Sequence, residues 1–272
     1  MAREGFSPGS IDGVYGNQTR AALLAYQSAK GLTLSGDFDS ATARILKIQE
    51  PVFTSLQVSQ AALDRIRPKP ASWRDRGQMD YLGYSSILEW AAEQSQSDPE
   101  YILKLNPNLN WSAITAGKSI RIPHIPRYRI PSSTTRIQIR LNERALRVYG
   151  PNNRILFHCP VSIARWVESR PLGELRIVAF AADPNYTFDP KILTGIAQRE
   201  GINNRFIIPS GPNNPVGARW ISLNRPGYGI HGTPEPEQVG RTESHGCFRL
   251  ANWNAQTVFE AARLYMPVYV EP

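Results

Sequence analysis

The second half of the chain alternates apolar and polar residues with a period of two, the spacing of a β-strand that buries one face. The segment 137–141 (IQIRL) begins this pattern, and similar segments recur almost to the end of the chain. One helix interrupts them, and it is predicted to run from Asn252 as its N-cap to about Leu264. Because long connections separate the strands, residues 134–272 are predicted to form a mostly β sandwich or barrel with one late helix.

The first half of the chain carries the spacing of amphipathic helices instead. Residues 1–50 are predicted to be a small helical unit, with one helix over 18–30 capped by Asn17 and a second over 40–48 capped by Asp39. Glycines and aspartates between these helices suit tight turns. The chain is therefore predicted to be multidomain α+β, with helices first and strands last.

A proline-rich and charged stretch, residues 51–78, follows and is predicted to be a linker that contains a short helix. Residues 79–126 are then predicted to form a second compact unit of two helices and two short strands. Asp98, followed by proline and glutamate, is a typical start for the second of these helices. Strands are predicted at 80–84 and at 119–122, on either side of the helices.

Length and composition exclude several classes of protein. The 272 residues are enough for two or three small domains, and 41% hydrophobic with 20% charged residues suits packed cores. No apolar run approaches the length of about 18 residues that spans a bilayer, which excludes an integral membrane protein, and the N-terminal residues show no signal-peptide pattern. The net charge of +8 favours anionic partners, but the scattered lysines and arginines argue against a nucleic-acid-binding arm.

Chemically reactive residues cluster in one short part of the chain, the segments 229–236 (GIHGTPEP) and 244–250 (SHGCFRL). A cysteine nucleophile needs a neighbouring base, because its thiol is mostly protonated at neutral pH. Imidazole is the usual base, since its pKa lies near neutrality. Beside Cys247, Gly246 allows a substrate carbonyl to approach backbone amides that stabilise an oxyanion, and Arg249 adds positive charge.

The sequence alone leaves other interpretations of these residues open. Cys159 lies on the apolar face of a predicted strand and is predicted to be a buried core thiol. A single disulfide between Cys159 and Cys247 is an alternative. A zinc site built from His231, His245 and Cys247 is another, although a fourth ligand at a recognisable spacing is missing.

Several strings of the sequence resemble families that act on bacterial cell walls. HGT followed by SHGCFRL is similar to the active-site motif of the L,D-transpeptidase catalytic domain of the YkuD type, and the resemblance extends over residues 136–270. Upstream, FSPGSIDGVYGNQTRAALLAYQSAKGLTLSGDFDSATARIL resembles the three-helix peptidoglycan-binding repeat, with the first helix truncated or absent. ILEWAAEQSQSDPEYILKLNP and AGKSIRIP resemble a LysM glycan-binding module.

The resemblance to the transpeptidase family implies a role for each residue of the motif. Cys247 is implied to be the nucleophile and His231 the imidazole that activates it, with the Gly232 carbonyl orienting the other ring nitrogen. His245 and Gly246 are implied to shape the loop that carries the oxyanion-binding amides. The residues implied to contact substrate or to brace this loop are Ser244, Arg249 and Thr233.

The resembled family attacks the bond between diaminopimelate and D-alanine in a peptidoglycan stem peptide. The resemblance therefore implies an L,D-transpeptidase that forms 3→3 cross-links through a cysteine thioester, is inhibited by carbapenems, and uses no metal or organic cofactor. Peptidoglycan stems and glycan are the implied partners, in the periplasm or cell envelope, without nucleic acid or membrane insertion. A hydrolase on the same scaffold and an inactive wall-anchoring protein are the alternatives. The long connection 183–209 is predicted to be either a lid over the site or a surface-packed loop.

Overall fold

The computed structural model describes residues 1–47, 50–242 and 246–272, which form three units packed against one another. Helices dominate the N-terminal part and strands dominate the C-terminal part, so the predicted α+β class is confirmed. Within the described ranges, no helix combines the length and the apolar character needed to cross a bilayer.

The N-terminal unit, residues 1–47, contains two α-helices. They are α1 (Asn17–Ala29) and α2 (Ser40–Ile45), preceded by a 3-10 turn at Ala2–Glu4. The second helix is shorter than the sequence predicts, because the backbone leaves the helical conformation at Leu46. The predicted end at Ile48 lies outside the described residues.

The N-cap of α2 is the residue that the sequence predicts, whereas the N-cap of α1 is not. Asp39 caps α2, and its Oδ1 accepts a hydrogen bond from the Thr42 N–H at 2.8 Å. The prediction that Asn17 caps α1 is wrong, because the first helical bond runs from the Arg20 N–H to the Gly16 carbonyl at 3.0 Å. The helix therefore begins one residue earlier, with Gly16 in the capping position and no side-chain cap.

The N-terminal unit is anchored on the C-terminal unit by a shared hydrophobic cluster. Phe6, Ala25 and Tyr26 come from the N-terminal unit, and Tyr149 and Ile155 come from strands of the C-terminal unit. The rings of Phe6 and Tyr26 meet edge to face, with centroids 5.3 Å apart. Burial of two aromatic rings in this contact favours the docked arrangement of the two units.

The middle unit, residues 50–126, consists of two strands and the helices between them. Strands β1 (Phe53–Gln57) and β2 (Ser119–Pro123) pair antiparallel, with Ser55 opposite Arg121. The helices are α3 (Gln60–Leu63), α4 (Trp73–Gly77), α5 (Ile87–Gln94) and α6 (Pro99–Leu105), and a 3-10 turn follows at Trp111–Ala113. All but α4 enclose one core with the two strands.

Two predictions for this region are wrong. The segment 51–78 is not a linker, because it contains the opening strand β1 and the helices α3 and α4. The segment 80–84 is not a strand: Leu82 is buried against the C-terminal unit, and Gly83 lies against the Arg65 backbone. The burial of β1 does not alternate along the strand, so the period-two pattern that reveals strands is absent there.

The C-terminal unit is built on one eight-stranded sheet. Its strands in spatial order are β11 (Phe248–Arg249), β10 (Gly229–His231), β9 (Arg219–Leu223), β6 (Gly173–Ala182), β12 (Pro267–Glu271), β3 (Arg136–Arg140), β4 (Ala145–Tyr149) and β5 (Ile155–Pro160). The sheet curls until its two edges meet, because Ser162, just after β5, forms a bridge with Arg249 of β11. A curled sheet of this kind agrees with the predicted sandwich or barrel.

The inner face of this sheet encloses the main hydrophobic core. Ile139, Leu146, Ile177 and Val268 are among its fully buried members. Cys159 lies in the same core with 0% exposure, and burial raises the pKa of its thiol well above the usual range. The structure therefore places Cys159 as a buried core thiol, and it forms no disulfide with Cys247.

Two helices and one hairpin complete the C-terminal unit. The predicted late helix is present as α8 (Asn252–Ala261), but Ala251 occupies its N-cap position and Asn252 is its first residue. Two short strands, β7 (Tyr186–Phe188) and β8 (Phe206–Ile208), pair antiparallel and flank α7 (Thr194–Glu200). Sequence analysis predicted one helix here and did not predict α7, which lies within the long connection between β6 and β9.

Candidate active site

Three neighbouring strands bring the reactive histidine and cysteine to one place. Strand β10 runs antiparallel to β9 and parallel to β11, so that His231 lies opposite Trp220 on one side and opposite Arg249 on the other. Cys247 immediately precedes β11 in the sequence. The parallel register between β10 and β11 therefore places Cys247 at the start of the strand that neighbours the one carrying His231.

His231 is held in one orientation by its own backbone turn. Its side chain is buried, and Nδ1 lies 2.6 Å from the carbonyl oxygen of Gly232. A carbonyl accepts hydrogen bonds only, so Nδ1 carries the ring proton and Nε2 keeps its lone pair. The Trp220 indole stacks on the other side of the ring, with centroids 5.4 Å apart and planes 21° from parallel. This arrangement presents Nε2 as a proton acceptor.

The surroundings of His231 keep its imidazole neutral. Burial lowers its pKa to about 4, because the protonated ring is poorly solvated there. The Gly232 carbonyl opposes this shift, and the positive charge of Arg249 adds to it. At neutral pH His231 is therefore an uncharged base.

Cys247 is only partly exposed, and its thiol is protonated at rest. Its Sγ donates a hydrogen bond to the Gly227 carbonyl at 3.2 Å. Burial raises the pKa of the Cys247 thiol, whereas a backbone hydrogen bond from Gly229 and the charge of Arg249 act in the opposite direction. A neutral thiol reacts when a neutral base takes its proton during the attack, without a preformed ion pair.

Arg249 lies in β11, two residues after Cys247. Burial lowers the pKa of its guanidinium, while the nearby Glu235 carboxylate and the Cys247 sulfur raise it. Its backbone is fixed by two hydrogen bonds with Ser162, of 2.9 and 3.0 Å. Among the described residues, an added Cβ at Gly246, just before the thiol, would come no closer than 3.8 Å to Tyr228.

Of the remaining predicted residues, Thr233 is buried and two lie outside the description. The Thr233 hydroxyl accepts a hydrogen bond from the Glu235 N–H at 3.3 Å and helps to form the turn after His231. Its substrate-binding role stays a prediction. Ser244 and His245 lie outside the described residues, so their predicted roles, and the zinc site that would use His245, are untested. Within the described ranges, no three His, Cys, Asp or Glu side chains are grouped to hold a metal ion.

Asn252 is a residue of this site that sequence analysis missed. It was predicted to cap a helix, but its Oδ1 instead accepts hydrogen bonds from the Thr233 N–H at 3.1 Å and the Ala218 N–H at 3.3 Å. Its Nδ2 donates to the Pro212 carbonyl at 3.2 Å. The amide thus holds the turn after His231 against the chain that precedes β9.

Two glycines make room for the Asn252 amide. A Cβ at Gly217 or at Gly232 would lie only 2.1 Å from Asn252 Oδ1, so neither position accepts a side chain without displacing the amide. Gly217 also has a φ of 63°, which favours glycine. The glycines in GAR and HGT were the available sequence signal for this contact.

The connection predicted to be a lid, residues 183–209, begins and returns at the His231 end of the sheet. It leaves β6 after Ala182, which pairs with Arg219 at the start of β9, and Arg219 precedes the partner of His231. Burial, followed by the charges of Cys247 and Asp189, raises the pKa of the Tyr186 phenol in β7. The connection therefore lies at the end of the sheet that carries His231.

Two known protein families match this chain, one in its C-terminal half and one at its N-terminus. The family described as "L,D-transpeptidase catalytic domain" (YkuD) matches residues 134–270, which is half of the chain. The family described as "Putative peptidoglycan binding domain" matches residues 1–46. The LysM resemblance of the middle unit stays a prediction.

Individual relatives agree with the family match. "Putative L,D-transpeptidase YkuD" of Bacillus licheniformis is 32% identical over 61% of this chain and 81% of its own length. "Probable L,D-transpeptidase YbiS" of Escherichia coli is 27% identical over 65% of this chain and 58% of its own length. An L,D-transpeptidase structure from Mycobacterium smegmatis overlaps 57% of this chain and 64% of its own, with 16% identity and a TM-score of 0.40. The family match over residues 134–270 and the Bacillus relative establish that this chain belongs to the L,D-transpeptidase catalytic domain family.

Proposed function

We propose that this protein is a cysteine-dependent L,D-transpeptidase that forms 3→3 cross-links between peptidoglycan stem peptides. The observation that carries the proposal is the pairing of β10 with β11. Cys247 directly precedes β11, and the neighbouring β10 carries a histidine whose Nδ1 is bound to the Gly232 carbonyl and whose Nε2 is left to accept a proton.

The proposed reaction begins with acylation of the thiol. Nε2 of His231 takes the proton as Sγ of Cys247 attacks the carbonyl carbon between diaminopimelate and the terminal D-alanine. Main-chain amides near Gly246 and Cys247 stabilise the oxyanion that forms. The carbon–nitrogen bond then breaks, D-alanine leaves with the proton held by His231, and the donor stem remains as a thioester on Cys247.

The second half of the reaction transfers the donor stem to an amine. The side-chain amine of a second stem attacks the thioester carbon and loses a proton to the neutral His231. The carbon–sulfur bond breaks, the new amide is the 3→3 cross-link, and the proton returns to the Cys247 sulfur. A low pKa suits His231 for this cycle, because the imidazole must be neutral at the start of both attacks.

The proposed location and partners follow from the family matches. The N-terminal match to a peptidoglycan-binding family and the net charge of +8 suit a protein held on an anionic cell-wall polymer. We therefore place its action in the periplasm or cell envelope. Stem peptides are the substrates, and the glycan is the surface to which the N-terminal unit binds.

The two cysteines provide a matched test of this proposal. The Cys247→Ala variant should lose cross-linking of tetrapeptide stems by about three orders of magnitude or more, because the nucleophile is gone. The Cys159→Ala variant should keep its activity and lose about 1 kcal/mol of stability, since only a small buried group is removed. Muropeptide mass spectrometry measures the products, and intact-protein mass measures the acyl-enzyme.

Three results would contradict the proposal. Acylation mapped to Cys159, or cross-linking that survives in Cys247→Ala, would remove Cys247 as the nucleophile. Tripeptide as the main product of the intact protein would instead indicate a hydrolase on the same scaffold.

A further inference from the structure

An insertion in the middle unit turns away from that unit and packs on the lid. The insertion is defined as residues 64–85, which connect α3 to α5 and include α4. Its side chains are absent from the core of the middle unit except for Ile66. They share a separate hydrophobic cluster with the lid, residues 183–209, in which Trp73 and Leu82 meet Phe188.

Trp73 is the centre of this contact. Its ring lies 5.4 Å from the ring of Phe188 and 6.3 Å from that of Tyr186, so it touches β7 from outside. Its backbone N–H donates to Oε2 of Glu200, at the end of α7, at 2.9 Å. The Arg76 guanidinium covers the other side of the indole at 4.8 Å from the ring centroid. One tryptophan of the insertion therefore contacts both a strand and the helix of the lid.

Gly77 brings the insertion against the second strand of the lid. A Cβ at this position would lie 2.6 Å from a ring carbon of Phe206 and 3.3 Å from the Ile207 carbonyl. Phe206 in turn stacks on Phe188, with centroids 5.0 Å apart. The stacked rings of Phe188 and Phe206 thus join the two strands of the lid to each other, and the insertion packs against both rings.

The end of the insertion binds the backbone that returns from the lid to the sheet. The Leu82 N–H donates to the Ser210 carbonyl at 2.8 Å, and the Leu82 carbonyl accepts from the Asn213 N–H at 3.1 Å. The Asn213 side chain adds a bond to the Gly83 carbonyl at 2.8 Å. The same returning backbone then reaches Gly217, which packs directly on the turn after His231.

The insertion also faces the loop that follows His231. Arg76, Leu82 and Asn213 line a small cavity of about 50 Å³ together with Pro234 and Glu235. Burial lowers the pKa of the Arg76 guanidinium, and the negative charges of Glu200 and Glu235 oppose that shift. Glu235 belongs to the turn after His231, where its N–H donates to the Thr233 hydroxyl at 3.3 Å, so this cavity connects the insertion to that turn.

We propose that the insertion is a fixed support for the lid, and that Trp73 is a positioning residue that sets whether an amine or water resolves the acyl-enzyme. This proposal rests on the proposed function. The thioester carbon exchanges its bond to sulfur for a bond to the acceptor nitrogen or to the oxygen of water, and His231 accepts the attacking group's proton in both cases. The choice depends on how well the site holds an acceptor stem and excludes solvent. Trp73 contacts Tyr186 and Phe188 of the lid, and the backbone that returns from the lid reaches the turn after His231 at Gly217.

The test separates lid position from acylation. In the full-length protein, Trp73→Ala should acylate with a carbapenem at the wild-type rate, because a small electrophile does not need an ordered acceptor site. The ratio of cross-linked dimer to tripeptide should fall about tenfold, and the KM for the acceptor stem should rise, since a displacement of 1 Å is costly in a positioned reaction. Trp73→Phe, which keeps a ring against β7, should restore most of the ratio.

Two further variants control for stability and for folding. Trp111→Ala makes the same truncation in the core of the middle unit, away from the lid, and should leave the product ratio unchanged. Gly77→Ala keeps Trp73 and pushes Phe206 away, so it should lower the ratio even where Trp73→Ala fails to fold. An unchanged ratio in both Trp73→Ala and Gly77→Ala would overturn the proposal, as would an equal fall in Trp111→Ala.

A measurement without substrate makes the two levels of inference distinguishable. Amide hydrogen exchange in 186–188 and 206–208 should quicken in Trp73→Ala relative to the wild type and Trp111→Ala. Faster exchange in a protein that never forms an acyl-enzyme would contradict the proposed function and leave the support intact. Unchanged exchange in a protein that does form an acyl-enzyme would contradict only the proposal that Trp73 supports the lid.

Discussion

Two histidines of the C-terminal unit are buried to the same degree but differ in their hydrogen bonds. His231 shares its Nδ1 proton with the Gly232 carbonyl, whereas both ring nitrogens of His158 have no partner among the described residues. Burial lowers the pKa of both rings, to about 4 for His231 and to about 3 for His158. A neutral ring with one oriented nitrogen is a base, and a neutral ring without partners is an energetic cost.

These two low pKa values predict a loss of stability in mild acid. An unfolded histidine binds a proton near pH 6.5, but the folded rings do not until the pH falls to about 4 and about 3. Unfolding therefore takes up protons as the pH drops below 6.5, and the free energy of unfolding declines over that window. His158→Phe should remove about 2 kcal/mol of the decline between pH 7 and pH 5, because each proton contributes about 1.4 kcal/mol per pH unit. Denaturant unfolding at the two pH values measures it, and an equal decline in both proteins would contradict the assigned shift.

Asn252 predicts a second effect at the residue scale. Asn252→Ala leaves the N–H groups of Thr233 and Ala218 without their acceptor, at a cost of about 1–3 kcal/mol per unpaired buried group. The turn that orients His231 should loosen, so that acylation of Cys247 slows about tenfold or more. Stopped-flow acylation measures the rate.

A second asparagine in the same helix serves as the control for this variant. Asn254 is buried as well, but its side chain donates to the Ser7 hydroxyl of the N-terminal unit at 3.2 Å. Asn254→Ala should therefore lower stability with little change in the acylation rate. If both variants slowed acylation equally, Asn252 would have no specific part in orienting the imidazole.

The sequence points to the candidate nucleophile and base more directly than to the residues packed around them. Cys247 and His231 were predicted for these roles because a thiol and an imidazole occur near each other in the chain with glycines beside them. Asn252 follows the motif just as closely, yet its role depends on where Gly217 and Gly232 meet in space. The local sequence pattern suggested only that Asn252 begins a helix. Its contact with Gly217 is a tertiary contact, which no local pattern predicts.

At the scale of elements, local signals succeed where the chain itself supplies the bonding partner. Asp98 caps α6 as predicted, with Oδ1 accepting from the Glu100 N–H at 2.8 Å, and Pro99 stands at the first helical position. Strand β1 has no such local partner, because all its pairing is with β2, more than sixty residues later. Its position in a proline-rich stretch and its uneven burial therefore concealed it.

The lid shows the same limit for tertiary packing. A long connection at 183–209 was predicted from the spacing of the strands, but its helix α7 has no capping side chain to announce it. What holds α7 is contact with a part of the chain more than a hundred residues earlier, since Glu200 accepts the Trp73 N–H. The sequence pattern of the lid therefore does not predict its contact with Trp73, and the pattern around Trp73 does not predict the lid.

At the scale of the whole molecule, the three units are joined by more than covalent connections. The segment 6–11 forms a β-bridge to the C-terminal unit through Phe6 and His158, and another to the middle unit through Ile11 and Ser97. Sequence analysis predicted separate units with a linker, because surface contacts between units leave no periodic pattern. The N-terminal unit obtains part of its core from Tyr149 and Ile155 of the C-terminal unit.

This shared core predicts that the N-terminal unit and the rest of the chain unfold together. Phe6 is 3% exposed, and Phe6→Ala should cost about 3–5 kcal/mol of stability as a buried aromatic truncation. All 6 tryptophans lie after residue 50, so their fluorescence reports only on the middle and C-terminal units. The unfolding transition seen by tryptophan should therefore shift to lower denaturant in Phe6→Ala.

Phe38, in the same unit but 58% exposed, is the control: Phe38→Ala should change stability by less than about 0.5 kcal/mol. A tryptophan transition that stays in place in Phe6→Ala, while circular dichroism loses helix at lower denaturant, would show that the N-terminal unit unfolds on its own.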